Sequence, residues 1–263
     1  MTGTITFQHK VGQHGNQLFV CIFAALIAHL NGLFIRIPTN GLVRFKETPF
    51  GWVEPPDGTH RVVVRRMTDV ITPSEHYHLA RGYYQHADNF NPYADMIRND
   101  ILDLPPIQKN TKDVVLHIRL DGFNHSGYNS HIINPEWYKG ILETLEFEKL
   151  YIVMDTKSGR IWRKQSGDKK KYLDAFSGFN HEIISGTAED DFNFIRSFDT
   201  IICSNSTFSF WATFLSDASR RFMPPFWESR SAKLSHIENA IVVEDNYGYI
   251  NIETMEPVKI TYQ

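Results

Sequence analysis

A strand, a helix and a second strand follow one another within the first 37 residues, and this succession limits the possible folds more than any other feature. Residues 4–9 alternate in polarity as a strand does, residues 16–31 form a long apolar helical run, and residues 33–37 are again strand-like. Gly32 lies where a C-terminal helix cap is typical. Because a helix that joins two adjacent strands leaves them parallel, we expect an α/β protein whose helices pack on a parallel sheet.

The second half of the chain shows the same alternation. In the first half, a strand is also predicted at 61–66 and a helix at 93–102. In the second half, strands are predicted at 113–118, 150–154, 181–184 and 200–203, with helices after Asn134, at 190–198 and at 207–216. Pro105 and Pro106 interrupt the chain between these stretches. We therefore expect two α/β halves, 1–106 and 107–236, followed by a tail at 237–263 that could return to the first half.

The composition excludes several classes of protein. With 263 residues, of which 42% are hydrophobic, the chain can bury a sizeable core. Its net charge of -3 argues against a nucleic-acid partner, because nucleic-acid binders normally carry a basic excess. Cys21 and Cys203 lie in apolar surroundings and are expected to be buried thiols. The longest apolar stretch, 18–30, is too short to span a membrane, and no signal peptide is recognisable, so we expect a cytoplasmic protein.

Basic side chains follow the apolar run 114–116 in the segment HIRLDGF (117–123). Side chains at the carboxyl end of a parallel strand face the crevice in which ligands of such folds bind. Arg119 presents a permanently charged planar fork, which suits a diphosphate whose negative charge grows as a bond to it breaks. The alternative for Arg119 is a surface salt bridge. His117 lies on the same face but deeper, where a hydrogen-bonded core histidine is the plainer interpretation.

The loop VGQHGNQLF (11–19) joins the first strand to the first helix. Gly12 and Gly15 allow the backbone to approach a ligand, and free amides at the start of the helix favour an anion or a polar sugar. A plain tight turn is the alternative, because the third glycine of a dinucleotide-binding loop is missing. His14 in this loop offers an imidazole for proton transfer.

A polar cluster opens the predicted helix of CSNSTFSFWATFL (203–215). Its members are Ser204, Asn205, Ser206 and Thr207. Hydroxyls, an amide side chain and free backbone amides suit a phosphate group, whereas an ordinary N-cap needs only one such residue. Asp155 ends the predicted strand YIVMD, where it is placed to contact a ligand. The acidic residues 189–191 precede a helix and are interpreted as its favourable start, so no metal site is expected.

Several segments, in order along nearly the whole chain, carry a resemblance to a known family. They are GxxGNQLF near the N-terminus, ARGYYQHADNFNPYADMIRNDI (80–101), VVLHIRLDGF, EDDFNFIRSFDTIICSNSTFSFWATFL and RRFMPPFW (220–227). The second resembles an aromatic Gly-Tyr-x-Gln stretch, the third a strand running into His-x-Arg-Arg-x-Asp, and the fourth an Asn-Ser-Ser/Thr-Phe-Ser-Trp-Trp run. In this order the segments resemble the inverting α-1,2-fucosyltransferase family.

The resemblance implies a GT-B architecture, two Rossmann-like halves with the nucleotide sugar in the cleft and the acceptor on the side of the N-terminal half. It implies a metal-independent, inverting transfer of L-fucose from GDP-fucose to a hydroxyl of a glycan acceptor, without a cofactor. The matching donor-binding positions are His117, Arg119, Asn205, Ser206, Thr207 and Phe208, with Gly15, Asn16 and Gln17 facing the donor sugar. Arg119 is expected on the diphosphate. Asp121 and His14 are the candidates for the general base.

Two positions depart from the family motif. Its second arginine is Leu120 here, and its acid comes one position early, as Asp121. Without that second cation, the same cleft could take another donor, such as UDP-xylose or another GDP-sugar. A carbohydrate- or nucleotide-binding module without catalysis is a second alternative. A hydrolase using Ser206 or Ser209 is a remote third, because the sequence has no Gly-x-Ser-x-Gly elbow.

Overall fold

The computed structural model of the chain describes residues 3–7, 14–37, 41–46, 62–69, 71–72, 75–120, 132–154, 166–225, 236–243, 249–250 and 257–258. The chain forms two compact units, Met1–Pro106 and Ile107–Gln263. Parallel sheets and helices make up both units, which confirms the predicted α/β class. Within the described ranges, no helix combines the length and the apolar character needed to cross a membrane.

The first unit is built on a parallel sheet of four strands. Its described strands are β1 (Thr4–Thr6), β2 (Phe34–Ile35), β3 (Arg44–Phe45), β4 (Val62–Val64), β5 (Tyr77–Leu79) and β6 (Leu102–Asp103). Its helices are α1 (His14–Asn31) and α2 (Ala94–Met96). The parallel sheet has the order β2-β1-β5-β4, while β3 and β6 form a separate antiparallel pair.

Helix α1 is the predicted apolar helix of the first unit. Every side chain from Leu18 to Ala28 is buried, so the helix is enclosed rather than amphipathic. Gly32 follows it with a φ of 63°, a left-handed conformation that glycine adopts without steric cost. The strands before and after α1 pair in parallel, which confirms the predicted strand–helix–strand unit.

The predicted helix at 93–102 is present from Ala94 to Ile101, but its second part is π-helical rather than α-helical. The segment around it is a series of short turns, namely the 3-10 turns Ala87–Asn89 and Asn91–Tyr93, then α2, then the π-helical turn Ile97–Ile101. The amide of Leu102 donates to the carbonyl of Ile97, and Leu102 then pairs with Phe45 between β6 and β3. A strand pairing distant in sequence therefore ends the helix, and local periodicity contains no sign of it.

The second unit is built on a six-stranded parallel sheet. Its described strands are β7 (Asn110–His117), β8 (Ile132–Ile133), β9 (Leu150–Val153), β10 (His181–Ile184), β11 (Phe198–Ile202), β12 (Arg220–Met223), β13 (Ile241–Val242), β14 (Tyr249–Ile250) and β15 (Pro257–Val258). Its helices are α3 (Pro135–Leu142), α4 (Ser166–Leu173), α5 (Ala188–Arg196) and α6 (Thr207–Phe214). The sheet order β10-β9-β7-β11-β12-β13 is that of a doubly wound, Rossmann-like sheet, which starts at its middle and winds outward on both sides.

Layers of helix cover both faces of this sheet. On one face, Trp137 of α3 and Tyr172 of α4 pack in one apolar cluster with Leu116 of β7 and Ile152 of β9. On the other face, α5 and α6 pack against each other and α5 contacts β7 and β11. Burial on both faces explains the continuous apolar runs that marked these strands in the sequence.

Helix caps in the second unit lie where polar residues precede apolar runs. The Asn134 side chain accepts a hydrogen bond from the Glu136 amide, 3.1 Å away, as the sequence predicts. Helix α5 begins with a capping box between Thr187 and Asp190, so the acidic residues at its start do serve the helix. That helix starts at Ala188, two residues before the predicted position.

The C-terminal tail does not follow the expected return to the first half in its described parts. Strand β13 extends the parallel sheet of the second unit next to β12. Strands β14 and β15 join β8 in a three-stranded antiparallel sheet. Because β8 belongs to the second unit, the described strands of the tail complete that unit.

The central strand β11 offers a test of this core. Ile201 in β11 is fully buried, whereas Ile183 in the edge strand β10 is 40% exposed. We expect Ile201→Ala to lower the free energy of unfolding by about 2–5 kcal/mol, because a cavity remains. Ile183→Ala, the same chemical change, is expected to cost less than about 1 kcal/mol. Urea denaturation measures both, and equal losses would contradict the assigned sheet order.

Candidate functional site

The candidate site lies where the sheet of the second unit changes its winding direction. From β7 the chain passes to β9 on one side, while β11 lies on the other side and leads to β12. Ligands of such sheets bind outside the carboxyl ends of the strands at this switch point. Arg119 follows β7, and residues 203–206 follow β11, at the same edge of the sheet. The fold therefore brings together the two polar segments that the sequence singled out in this half.

A buried hydrogen bond links these two segments. The Nδ1 atom of His117 lies 2.7 Å from the Oγ atom of Ser204. Both side chains are at least 92% buried, and the ring of Phe208 lies 5.4 Å from the His117 ring. This places His117 under the site as part of the core, in agreement with the plainer interpretation of the sequence. Its predicted contact with a donor finds no support in this position.

The segment that follows β11 is held by its own polar network. The Ser204 amide donates to the Oγ of Ser209, 3.3 Å away, and the Ser206 amide donates to the Ser204 carbonyl, 2.9 Å away. The Sγ of Cys203 lies 2.9 Å from the Oγ1 of Thr213, and burial raises the pKa of this thiol. Ser209 is thus a buried structural residue, which speaks against a role as a nucleophile.

The start of α6 has the backbone of a capped helix without the side-chain cap. Ser206 adopts an extended conformation at the N-cap position, but its hydroxyl makes no cap hydrogen bond. Residues 204–207 are all at least 92% buried, and Phe208 is half-buried. The amides at a helix N-terminus carry partial positive charge and attract anions. An anionic group bound at the carboxyl edge of the sheet would therefore lie at the N-terminal end of α6.

Charge at this site comes from Arg119 and not from His117. Burial, with the charge of Arg119 as a smaller second cause, lowers the pKa of His117 from 6.5 to about 3. His117 is therefore neutral at physiological pH, while Arg119 is half-buried and permanently charged. Among the described residues at this edge, Arg119 therefore supplies positive charge, whereas His117 is a neutral hydrogen-bonding partner.

The N-terminal candidates lie in the first unit, at the start of α1. His14 is exposed as the first residue of the helix, Gly15 is buried, and Asn16 and Gln17 are half-buried. The Nε2 of Gln85 donates to the Oδ1 of Asn16, 2.9 Å away. Gln85 was missed as a site residue, although the Gly-Tyr-x-Gln stretch that contains it was a signal.

The loop that carries Gln85 is held by a strained tyrosine. Tyr84 has a φ of 54°, which is rare for a residue with a side chain. Its ring stacks on Phe23 of α1 with 4.2 Å between the centroids, and its hydroxyl donates to the carbonyl of Ala80. Strain of this kind persists only where surrounding contacts enforce it, and it concentrates at functional sites.

Two candidates, Asp121 and Asp155, lie outside the described residues. Among the residues with described positions, no group of three or more His, Cys, Asp or Glu side chains is arranged to hold a metal ion. Comparison with protein-family models, with curated proteins and with solved structures finds no match for this chain.

The neutral, buried state of His117 predicts a pH dependence of stability. The unfolded chain binds a proton at the ordinary pKa of 6.5, but the folded chain does so only near 3. Falling pH therefore favours the unfolded state across this range, by up to about 1.4 kcal/mol for each pH unit. His117→Asn keeps an amide near the Ser204 hydroxyl and removes the titration.

Urea denaturation of both proteins between pH 7 and pH 4 measures this effect. We expect the wild type to lose its stability advantage over His117→Asn as the pH falls below about 6.5. The half-buried His181, replaced in His181→Asn, controls for the loss of a histidine as such. A stability difference that stays constant over the whole range would contradict a buried neutral imidazole at position 117.

Proposed function

We propose that this chain is an inverting, metal-independent glycosyltransferase of GT-B architecture that uses a nucleotide sugar as its donor. The donor is GDP-fucose, and the acceptor is a hydroxyl group of a glycan. The observation that carries the proposal is the placement of Arg119 and residues 204–207 together at the switch point of a doubly wound sheet. The cytoplasmic location and the lack of a nucleic-acid partner stay predictions.

In the proposed reaction, the site has to stabilise the negative charge of the leaving diphosphate. When the bond between the sugar and the diphosphate breaks, an additional negative charge develops on the phosphate oxygen. Arg119 supplies a fixed positive charge for it, and the start of α6 at Thr207 supplies aligned backbone dipoles. Because the segment that starts α6 is held by the buried network around Ser204, little reorganisation of its amides is required as the charge develops.

Inversion follows from a single displacement. The acceptor oxygen attacks the anomeric carbon in line with the departing diphosphate, and a general base takes the hydroxyl proton. Asp121 and His14 remain the base candidates of the sequence analysis. His14 is exposed at the first position of α1, where its ring lies against Gly41.

One observation favours a different donor on the same fold. Leu120 is 6% exposed and belongs to the apolar cluster of the second unit, beside Ile118. The side chain that replaces the family's second arginine is therefore a packing residue, and nothing at position 120 can neutralise a phosphate. A donor such as UDP-xylose or another GDP-sugar stays the second candidate, and a binding module without catalysis the third.

Removal of the Arg119 charge is the first test. We expect Arg119→Met to lower kcat/KM for transfer by about 10²–10³, the loss typical of one donor to a developing oxyanion. Calorimetry with GDP should show weaker binding in parallel. The control is Arg220→Met. Arg220 is the first residue of β12 and therefore lies at the amino ends of the strands, away from the candidate site, where its Nε donates to the Oγ1 of Thr200, 3.0 Å away. Transfer that Arg119→Met leaves unchanged would exclude Arg119 from the leaving-group site.

A donor panel tests the sugar and the metal independence together. The chain is incubated with GDP-fucose, other GDP-sugars and UDP-sugars, each with and without a chelator. We expect transfer from GDP-fucose at the same rate in both conditions. Preference for UDP over GDP in binding would reject the fucose assignment in favour of the second candidate. Loss of activity with chelator would contradict the metal-independent reaction, and binding without transfer or donor hydrolysis would favour the non-catalytic module.

A further inference from the structure

Arginines follow the carboxyl ends of the strands in the parallel sheet of the first unit. Within three positions of these strand ends, every charged side chain that the structure describes is an arginine, namely Arg36, Arg65, Arg66 and Arg81. The whole chain has a net charge of -3, so this edge has the opposite sign. Parallel sheets bind ligands at this edge. The candidate site of the second unit uses none of these arginines.

Three of the four arginines lie on neighbouring strands and are called the arginine cluster below. Arg65 and Arg66 directly follow β4, and Arg81 lies two residues after β5. The two strands are still paired where the cluster begins, because the Ala80 amide donates to the Val64 carbonyl, 2.8 Å away. All three arginines are exposed. Neighbouring strands are about 4.8 Å apart, so the long side chains of the cluster can reach one bound group.

The cluster differs from another exposed arginine of the same unit in the charge of its neighbours. Arg44 in β3 is paired with Asp103 in β6. Opposite charges on neighbouring strands are favourable, whereas like charges side by side are unfavourable. The cluster therefore costs stability in the free protein, and a bound anion would remove that cost.

One carboxylate lies beside the cluster and accepts hydrogen bonds from the backbone. The Oδ2 of Asp69 accepts from the amides of Arg65 and Arg66, which lie 2.7 and 3.1 Å away. The hydrogen bond from the Arg65 amide lowers the pKa of Asp69 against the opposing effect of burial, and the charges of both arginines lower it further. Asp69 is therefore ionised at neutral pH and holds the turn after β4. Three guanidinium groups beside one carboxylate leave an excess of positive charge.

The loop after β5 supplies uncharged groups next to the cluster. Burial raises the pKa of the Tyr84 phenol, and the charge of Arg65 opposes this effect, so Arg65 lies near Tyr84. Tyr83 is 44% exposed, and the Gln85 side chain bonds Asn16 of α1. An aromatic ring offers an apolar face, and amide side chains offer donors and acceptors. Such groups suit a sugar ring, which has both C–H and hydroxyl groups.

We propose that the first unit binds an acidic saccharide, whose carboxylate or sulfate group is held by the arginine cluster. Arginine pairs with such planar or multidentate anions through two parallel N–H···O hydrogen bonds. Under the glycosyltransferase function proposed above, on which this part of the inference rests, the saccharide is the acceptor glycan. The binding itself takes place within the first unit and needs no donor.

Calorimetry with the full chain tests the ligand class in the absence of a donor. The probes are sialyllactose and sulfated lactose, with lactose as their neutral counterpart. We expect both acidic saccharides to bind at least about 10-fold more tightly than lactose. Their binding should weaken as NaCl rises from about 0.1 M to about 1 M, because the screening length falls from about 10 Å to about 3 Å. Equal affinity for lactose would overturn the proposal, and so would inorganic sulfate that binds as tightly as the saccharides.

Charge removal tests the arginine cluster itself. We expect Arg66→Gln and Arg81→Gln each to weaken sialyllactose binding by about 3- to 10-fold, and the double variant to weaken it further. The urea midpoints should stay at or above that of the wild type, because the substitutions remove like-charge repulsion. The control Arg44→Gln removes one exposed arginine of the same unit and should bind as the wild type does. Unchanged binding in the double variant, or an equal loss in Arg44→Gln, would overturn the proposal.

The outcomes separate this inference from the proposed function. If the chain transfers sugar but binds neutral and acidic saccharides equally, the glycosyltransferase function stands and the acidic class is wrong. If sialyllactose binds through the cluster but no donor supports transfer, the proposed function fails and the binding site stands. GDP affinity should be the same in the wild type and in the double variant of Arg66 and Arg81. A loss of GDP binding in that variant would assign the cluster to the donor and overturn the proposal.

Discussion

The hydrogen bond between His117 and Ser204 is the contact on which the site of the second unit depends. It joins the ends of β7 and β11, the two neighbouring strands at which the sheet changes its winding direction. Because the bond is buried, both partners would leave costly unsatisfied groups if they separated. The bond therefore holds the segment after β7, which carries Arg119, in register with the segment that starts α6. Around this contact, α5 and α6 close the sheet on the same face through Phe192 and Phe208, whose rings lie 5.5 Å apart.

The polar residues of the site fall into two groups, a buried hydrogen-bonded network and a charged residue beside it. His117, Ser204 and Ser209 satisfy one another or the backbone in a dry interior. Ser204 is the centre of this network, since its hydroxyl meets His117 and its amide donates to Ser209. Arg119, two residues after His117, is half-buried and carries the charge. Under the proposed function, the buried network and the charge of Arg119 would together stabilise a developing negative charge without prior rearrangement.

Sequence reasoning identified features encoded locally and missed those that depend on distant pairing. The apolar run of α1, the cap at Asn134 and the acidic start of α5 are local patterns, and each appears in the structure at or near its predicted place. Strand β5 is three residues long, and the alternation His76-Tyr77-His78-Leu79 was its only local sign. The hydroxyl of Thr6 donates to the carbonyl of Tyr77, 71 positions away, a contact that no local pattern contains.

The sequence predicted which site residues follow the ends of strands, but it did not predict how deeply each side chain is buried. Arg119 and the run at 204–207 could be placed at a carboxyl edge because they follow apolar strands. That His117 would be neutral and buried depends on how tightly α5 and α6 cover β7, which is a property of tertiary packing. Gln85 donates to Asn16, which is 69 positions away, and it directly follows the positive-φ residue Tyr84. Neither feature is visible in a local sequence pattern.

Under the proposed function, the buried position of Leu120 limits which substitutions could change the donor. Leu120 fills space in the apolar cluster that also holds α3 and α4 to the sheet. An arginine introduced there would bring a charge into the core or displace the cluster, and either costs several kcal/mol. A second cation for the phosphates would therefore have to arise elsewhere in the unit. Under the proposed function, a cation gained at position 120 for the phosphates would be a loss of thermodynamic stability.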